Sequence, residues 1–356
     1  MVITSLQAGG MERVMAELIW YFSKREIGVD LILFGIKRDV FYEIPHSVNI
    51  YRPSFTFNNK YRFVYTLRTM LFLRSQIKQI NPPVILSFGE LWNNMVLLST
   101  YGLITPIYVS DRAQPDKSLG RLHDYLRSWL YPKAKGIILQ SEKAKHNFTN
   151  YITGKNPNIK VIGNPIREIQ PKAGLKRKKT VLMVARLIRS KHQDRLIRIF
   201  ATIDKPDWQL VLVGYDHLKQ NNMEPLKTLA KSLGVADRVV FAGKQDDIDH
   251  FLLTSSIFAF TSSSEGFPNA IGEAMSAGLP VVAYDCIAGP SEMIQDGYSG
   301  FLIPLFDDES FRQKLVLLME NEGLRKSIGD KAKDTIKQFA VEQIGEKFFK
   351  FILHNE

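Results

Sequence analysis

Residues 261–284 read T-S-S-S-E-G-F-P-N-A-I-G-E-A-M-S-A-G-L-P-V-V-A-Y, and the rest of the chain can be read outward from them. The apolar run S-I-F-A-F at 256–260 has strand character, residues 269–277 after Pro268 are helical in composition, and Gly278 is a C-terminal stop. The stretch is a strand, a turn and a helix start. Proline suits the first helical turn, where its missing N–H is no loss. The N–H groups around residues 267–270 then face outward with the positive end of the helix dipole, an arrangement that binds phosphate. Two carboxylates bracket that end: Glu265 just ahead of the helix, and Glu273 about 7 Å along it at 1.5 Å per residue. An anion between two hydroxyl-bearing sugars fits this pattern. Spacing alone equally allows an ordinary turn at Glu265-Gly266 and a solvated helix face at Glu273.

At 356 residues the chain exceeds one ordinary core, so two domains are expected. With 45% hydrophobic and 23% charged residues the composition is globular. The single cysteine, Cys286, excludes an internal disulfide framework, fits a reducing compartment and reads as a core thiol. No 18-residue apolar run predicts a membrane span. The N-terminus lacks a basic-then-apolar leader, which makes a cytoplasmic location the expectation. A net charge of +11 favours anionic partners: nucleic acid, anionic lipid or phosphorylated substrate. Zinc-finger spacing, an RRM signature and a basic zipper are all missing, which argues against nucleic acid. A cytoplasmic membrane surface explains the excess more economically.

In the first half, residues 1–4 read as a strand end and 5–10, S-L-Q-A-G-G, as a loop entering a helix over 11–24. Gly9 and Gly10 would let backbone come close to a ligand, although a Gly-Gly pair also makes a plain turn. Strands are expected at 29–34, 49–53, 84–88, 107–110 and 136–140, and one long helix over 60–80 after Asn58-Asn59, stopped by N-P-P at 81–83. Lys60, Arg68, Arg74 and Lys78 then share roughly a third of the helix circumference over about 27 Å. Such a stripe is either a solvated face or a track for an anionic acceptor. After the strand at 107–110 comes Asp111-Arg112, at a sheet edge where ligands collect.

Residues 165–179 hold two prolines and the run K-R-K-K at 176–179, a linker in composition and the best domain boundary. A strand at 180–185 leads to Arg186 and Lys191, cations of the kind that stabilise a departing diphosphate. Surface cations would look the same. Strands at 208–214 and 238–243 follow, the first running into Tyr215-Asp216-His217 and the second ending in Gly243-Lys244. The D-x-D at 247–249 is read as a helix start with acids favoured by the dipole, not as a metal site. Helices are expected at 307–321 and 324–339, with an amphipathic Phe-rich tail over 341–353. The alternation predicts an α/β protein of two doubly wound Rossmann-like domains facing across a cleft.

Glu265 and Glu273 with seven residues between them, then Ala274-Met275 and Gly278-Leu279-Pro280-Val281-Val282, resemble the E-x7-E motif of the retaining, family 4-like glycosyltransferases of GT-B fold. The resemblance covers most of the chain, densest at 180–304 and 7–14, thinnest at 40–81. It implies an acceptor-binding domain over residues 1–166, a nucleotide-sugar domain over 167–338, and a final helix over 339–356 packing back on the first. It implies retaining, metal-independent transfer of an N-acetylhexosamine or hexose from a UDP-sugar, with no cofactor beyond that donor substrate. Donor-binding residues would be Gly9, Gly10, Arg186, Lys191, Gly243, Lys244, Glu265, Gly266, Phe267, Pro268, Asn269 and Glu273. Arg186 and Lys191 would meet the diphosphate, Glu265 the sugar and Glu273 the ribose. Ser110-Asp111-Arg112 stands where relatives carry Ser-Glu-Arg, so Asp111 is either an activator of the acceptor hydroxyl or half of a structural Asp–Arg pair. The basic helix is similar to that of bacterial transferases that add N-acetylgalactosamine to a lipid-linked oligosaccharide. By that similarity Lys60, Arg68, Arg74, Lys78 and Arg112 would serve a polyprenyl-diphosphate-linked glycan, with the protein peripheral on an anionic inner membrane face. Relatives carry several more strand residues ahead of the glycine loop, so a short preceding piece is expected. Two rivals share these features: a UDP-sugar epimerase of GT-B fold, which needs no acceptor, and a non-catalytic anion-binding protein.

Overall fold

Short apolar runs bounded by turn residues become strands buried on both faces when helices cover each side, and two such sheets form here. The computed structural model describes residues 1–7, 9–36, 40–112, 118–151, 158–216, 221–287 and 289–354, with 149–151 by backbone alone; His217 lies outside them. The chain divides into one unit of Met1–Pro165 with Val341–Glu356 and a second of Ile166–Ala340.

The first unit carries β1 (Val2–Ile3), β2 (Asp30–Leu33), β3 (Asn49–Tyr51), β4 (Ile85–Phe88), β5 (Ile107–Ser110), β6 (Gly136–Leu139) and β7 (Ile159–Val161). They form a sheet in the order β3-β2-β1-β4-β5-β6-β7, parallel throughout. Its helices are α1 (Gly10–Lys24), α2 (Arg62–Ile80), α3 (Glu90–Ser99), α4 (Arg121–Leu130) and α5 (Glu142–Tyr151). The second unit carries β8 (Thr180–Val184), β9 (Gln209–Val213), β10 (Val239–Gly243), β11 (Ile257–Phe260), β12 (Val281–Tyr284) and β13 (Phe301–Ile303). Its order is β10-β9-β8-β11-β12-β13, again parallel. Around it lie α6 (Gln193–Ala201), α7 (Met223–Ser232), α8 (Ile248–Thr254), α9 (Asn269–Ser276), α10 (Pro290–Met293), α11 (Asp308–Glu320) and α12 (Glu322–Ile336).

Strand order reverses between β1 and β4 in one sheet and between β8 and β11 in the other. In doubly wound sheets ligands bind at the carboxyl ends of the strands flanking such a reversal. Every residue of β11 and β12 is buried, so the second reversal sits on a rigid core.

Helix α13 (Val341–Phe349) and the π turn Lys350–His354 belong to the first unit. Phe348 stacks on Phe88 at 6.3 Å and Phe351 packs edge-on to Tyr108 at 5.3 Å. The Tyr21 hydroxyl donates to Glu346 Oε2 at 2.7 Å. Gly345 admits the Tyr21 ring, which a Cβ there would meet at 2.4 Å.

Two expectations need correcting. The helix expected over 60–80 is two elements, a 3-10 turn at Asn59–Tyr61 and then α2, because Asn58 caps the turn by accepting from the Lys60 N–H at 2.9 Å. Lys60 is therefore not on the α2 stripe. The proline-and-lysine segment after Pro165 is not a free linker. Ile169 is buried, and the Arg177 guanidinium donates to the carbonyls of Leu252, Ser255, Ala277 and Gly278. A charge run predicts solvation only when no orphan carbonyls lie within reach.

Candidate functional site

In the second unit Arg186 and Lys191 follow the carboxyl end of β8 and Glu265 follows that of β11. After β8 the chain passes exposed Arg186 into a 3-10 turn at Arg189–Lys191 and leaves it through His192 at φ +50. After β11 the segment 261–264 is stapled to that turn. The Thr261 hydroxyl donates to the carbonyls of Lys191 at 3.0 Å and His192 at 3.1 Å, and the Ser263 N–H to Ser190 O at 2.9 Å. His192 Nε2 meets Ser263 Oγ at 2.8 Å, and burial lowers the pKa of its ring.

This stapling brings Lys191 to Glu265. Lys191 Nζ is hydrogen-bonded to Glu265 Oε1, with only 14% and 13% of the two side chains exposed, and reaches Ser262 Oγ at 3.5 Å. An ammonium has three donors, so these contacts leave one for a ligand. Cys286 is buried close by; burial first and the Glu265 carboxylate second push its thiol to about 12. It is a core thiol.

The helix of the opening stretch, α9, runs Asn269–Ser276 and stops at Gly278 with φ +72. Pro268 is its N-cap and not its first helical residue; the Pro268 carbonyl accepts from the Ile271 N–H at 2.9 Å. The Asn269 N–H turns back to Phe267 O at 3.0 Å, so it does not point outward as expected. Phe267 is buried against Phe339, while Gly266 is partly exposed. Gly289 seats the cap: at φ +120 it faces Pro268, whose Cδ a Cβ would meet at 2.1 Å.

Glu273 is 8% exposed and not on a solvated face. Arg167 Nε lies 3.6 Å from its Oε1 while the same guanidinium forks onto Asp249. Asp247 caps α8 by accepting from the His250 N–H at 3.1 Å and pairs with Lys172. Both acids of the D-x-D thus have structural partners. Gly243 and Lys244 stand at the same sheet edge on β10, Gly243 at φ +68 with its carbonyl accepting from the Gly214 N–H at 2.9 Å and Lys244 exposed.

In the first unit the Gly9 peptide is bracketed by one side chain. The Tyr42 hydroxyl accepts from the Gly9 N–H at 3.1 Å and donates to its carbonyl at 2.9 Å. Gly10 begins α1. Asp111 is buried and pairs with Arg127 at 2.7 Å and the Tyr131 hydroxyl at 3.1 Å. A structural partner, Arg127, comes from α4, and the carboxylate is buried. The Arg112 guanidinium lies over Phe88 at 4.5 Å and is hydrogen-bonded to Asn164; burial lowers its pKa to about 9.

The basic stripe is partly committed. Arg74 donates to the carbonyls of Ser99 at 3.0 Å and Tyr101 at 2.9 Å, and Lys60 lies outside α2. Arg68, which lies over Phe55 at 4.6 Å, and Lys78 are exposed.

Sequence reasoning missed Arg167, His192 and Gly289. Arg167 carries no local signal, since it meets Glu273 only through the fold. The Gly289-Pro290 dipeptide is a turn signal that could have marked Gly289.

The model for Glycosyltransferase Family 4 matches residues 8–168 and that for Glycosyl transferases group 1 matches residues 165–335. A Campylobacter jejuni N-acetylgalactosamine-N,N'-diacetylbacillosaminyl-diphospho-undecaprenol 4-alpha-N-acetylgalactosaminyltransferase is 29% identical, over 99% of this chain and 98% of its own. An uncharacterized glycosyltransferase of Haemophilus influenzae is 28% identical over 96% of this chain and 95% of its own. Among solved structures, Anabaena HepE in complex with UDP superposes with a TM-score of 0.79 at 20% identity, covering 98% of this chain and 97% of that one. A Rickettsia africae glycosyltransferase gives 0.83 at 19% identity, covering 100% and 98%. With the two family models meeting at the boundary between the two sheets, the chain belongs to the glycosyltransferases of GT-B fold and is itself a glycosyltransferase.

Proposed function

We propose that this enzyme transfers a sugar, an N-acetylhexosamine or a hexose, from a UDP-sugar to a polyprenyl-diphosphate-linked oligosaccharide at the cytoplasmic membrane face, with retention at the anomeric carbon. The observation that carries the reading is the Lys191–Glu265 pair held at the β8/β11 reversal beside the start of α9. The names of the Campylobacter relatives and the UDP in the HepE structure support the choice of acceptor and nucleotide.

Negative charge grows on the diphosphate as the glycosidic bond breaks. Arg186 and the third Lys191 donor stabilise it, and since Lys191 is already fixed by Glu265 and Ser262 it needs little reorganisation. Glu265 orients the donor sugar from the same pair. Glu273 takes the ribose hydroxyls, its carboxylate steadied by Arg167. No step is assigned to Asp111, whose carboxylate is paired with Arg127.

Membrane association draws support from α2. Val64, Leu67 and Leu71 are exposed next to Arg68 and Lys78, and the helix carries no carboxylate. Apolar residues flanked by cations favour an anionic bilayer surface. No helix among the described residues is long and apolar enough to cross a membrane.

The test is UDP release from a panel of UDP-sugars with and without a polyprenyl-diphosphate oligosaccharide, with the anomer of the product read by NMR. Acceptor-dependent release with retention is the expected result. Interconversion of UDP-sugars without acceptor would identify an epimerase instead, and no release with any donor would remove catalysis from the reading. Sedimentation with anionic vesicles, lost in neutral vesicles or high salt, checks the membrane component.

A further inference from the structure

Beyond α2, the first unit exposes a second group of large apolar side chains. Leu122 and Tyr125 are each 68% exposed and Trp129 44%, and at 100° per residue the three fall within about 60° of one another on α4. Tyr101 is exposed and Ile104 wholly so, in the corner between α3 and β5. The Tyr101 ring stacks on that of Trp129 with centroids 6.2 Å apart, and Lys133 Nζ lies 5.3 Å from both. The corner is also tied to α2, because Arg74 donates to the Tyr101 carbonyl at 2.9 Å. Leu67, Leu71, Arg74 and Lys78 share one stripe of α2, so the exposed apolar residues of α2 adjoin the corner, and the corner adjoins α4.

The charges around this band have one sign. Residues 91–110 contain no Asp or Glu, and residues 118–141 contain one, Asp124. Its carboxylate accepts from the Leu119 N–H at 2.9 Å and from the Ser118 hydroxyl. Arg121, Lys133 and Lys135 are exposed. Proteins rarely expose a contiguous apolar patch of any size unless it binds something. A second copy of this chain fits poorly, because a two-fold interface brings the same patch together and sets cation against cation. Tyr and Trp favour the headgroup level of a bilayer, where the ring is buried and its polar tip stays wet. Cations beside them favour an anionic surface.

We propose that the α3–β5 corner and the exposed face of α4 form a second bilayer contact beside α2, seated at the boundary between headgroups and acyl chains of an anionic leaflet. The inference rests on the membrane component of the function proposed above and extends it from one helix to two. Ile104 enters the acyl region, Tyr101, Tyr125 and Trp129 lie at headgroup level, and Lys133 stands among the lipid phosphates. Two lines of contact hold the first unit against rolling about the α2 axis, which a single helix would not do.

The one cysteine, Cys286, is buried with its thiol pushed up to about 12, so a cysteine placed at the surface can be labelled alone. Ile104→Cys and Tyr125→Cys, each carrying an environment-sensitive fluorophore, are mixed with phosphatidylglycerol-rich or pure phosphatidylcholine vesicles. Leu317→Cys, at an exposed position on α11 of the second unit, is the control. On anionic vesicles the emission of the labels at 104 and 125 should shift to the blue and become shielded from aqueous iodide, while the label at 317 stays unchanged. Ile104→Ser combined with Trp129→Ser should lower partitioning onto anionic vesicles at least about tenfold, the scale of one large apolar side chain removed from burial. Leu317→Ser should leave it within about twofold. Should the Trp129 change disturb folding, Ile104→Ser alone removes a side chain with nothing packed on it and should still weaken partitioning. Vesicle binding with both labels open to iodide, or partitioning that the substitutions leave intact, overturns the inference and leaves α2 as the membrane contact. Labels shielded without vesicles, in a self-association that Trp129→Ser abolishes, overturn it in favour of an interface between copies. Failure of the unaltered protein to bind any vesicle removes the membrane component itself and this inference with it.

Discussion

Replacing Glu265 with Gln keeps the shape of the side chain and removes its charge, and the consequences can be worked out from the pair it forms. At 13–14% side-chain exposure the Lys191–Glu265 contact lies between two limits. An exposed ion pair contributes about 0–1 kcal/mol, whereas removing one partner of a fully desolvated pair costs about 3–5 kcal/mol. The expected stability loss is therefore about 1–3 kcal/mol. The kinetic loss should be greater, because the variant loses the group that fixes Lys191 as well as the carboxylate proposed to orient the sugar. Losing one preorganised charge-stabilising contact lowers kcat by about 10²–10³. Arg189→Gln is the matched control: it removes an exposed cation from the same 3-10 turn, and kcat should stay within about twofold, as for substitutions away from such features. The assay is steady-state UDP release at saturating donor, with urea unfolding in parallel so that the fraction folded is known. Comparable kcat losses in the two variants would refute the assignment of Glu265, and a Glu265→Gln enzyme with unchanged kcat would refute the electrostatic argument itself.

Arg167→Met should raise the donor KM about tenfold with kcat nearly unchanged, because Arg167 steadies Glu273, whose proposed contact is made equally in the ground and transition states; a fall in kcat at constant KM would contradict this. Gly289→Ala should destabilise the protein by about 1–3 kcal/mol and raise the donor KM, since the new Cβ would strike the Pro268 ring that caps α9. Gly297→Ala, where φ is +69 but no atom lies within 4 Å, should leave the donor KM alone, and equal KM effects would sink the packing argument. For His192, burial lowers the pKa below 6.5, with Asp194, Arg195 and Asp308 as its charged neighbours. The unfolded chain then binds the proton more readily, so the His192 contribution is intact above pH 6.5 and is lost as pH falls through the folded-state value. His192→Gln should flatten the pH dependence of the urea midpoint between pH 5 and 7, and an unchanged slope would show that the ring does not titrate differently on folding.

The fold was legible because parallel strands buried on both faces read as unbroken apolar runs, as in Val281–Tyr284 and Ile257–Phe260. Helices α4 and α7 are amphipathic but only ten residues long, so their apolar period repeats only about three times and is easily passed over. At the candidate site, residues close in sequence were legible together. Glu265, Pro268 and Glu273 share one strand-turn-helix, and Arg186 and Lys191 share one loop. Partners contributed by distant segments were not. Asp111 was weighed against its neighbour Arg112, but both lie past the end of β5 at Ser110, and a partner came from α4 in the form of Arg127. The basic stripe fails for a related reason. Helical periodicity says which cations share a face but not what that face meets, and Arg74 turns out to meet the carbonyls of Ser99 and Tyr101. Charge read from a single chain therefore overstates the surface available to an anion, because orphan carbonyls and buried carboxylates of the same protein compete for the same cations. Arg177, Arg127 and Arg74 are consumed inside the fold. In the second unit Arg186 and Lys191 stand just past β8, where the strand order reverses, and that placement, more than the net charge of +11, is what the proposed donor site depends on.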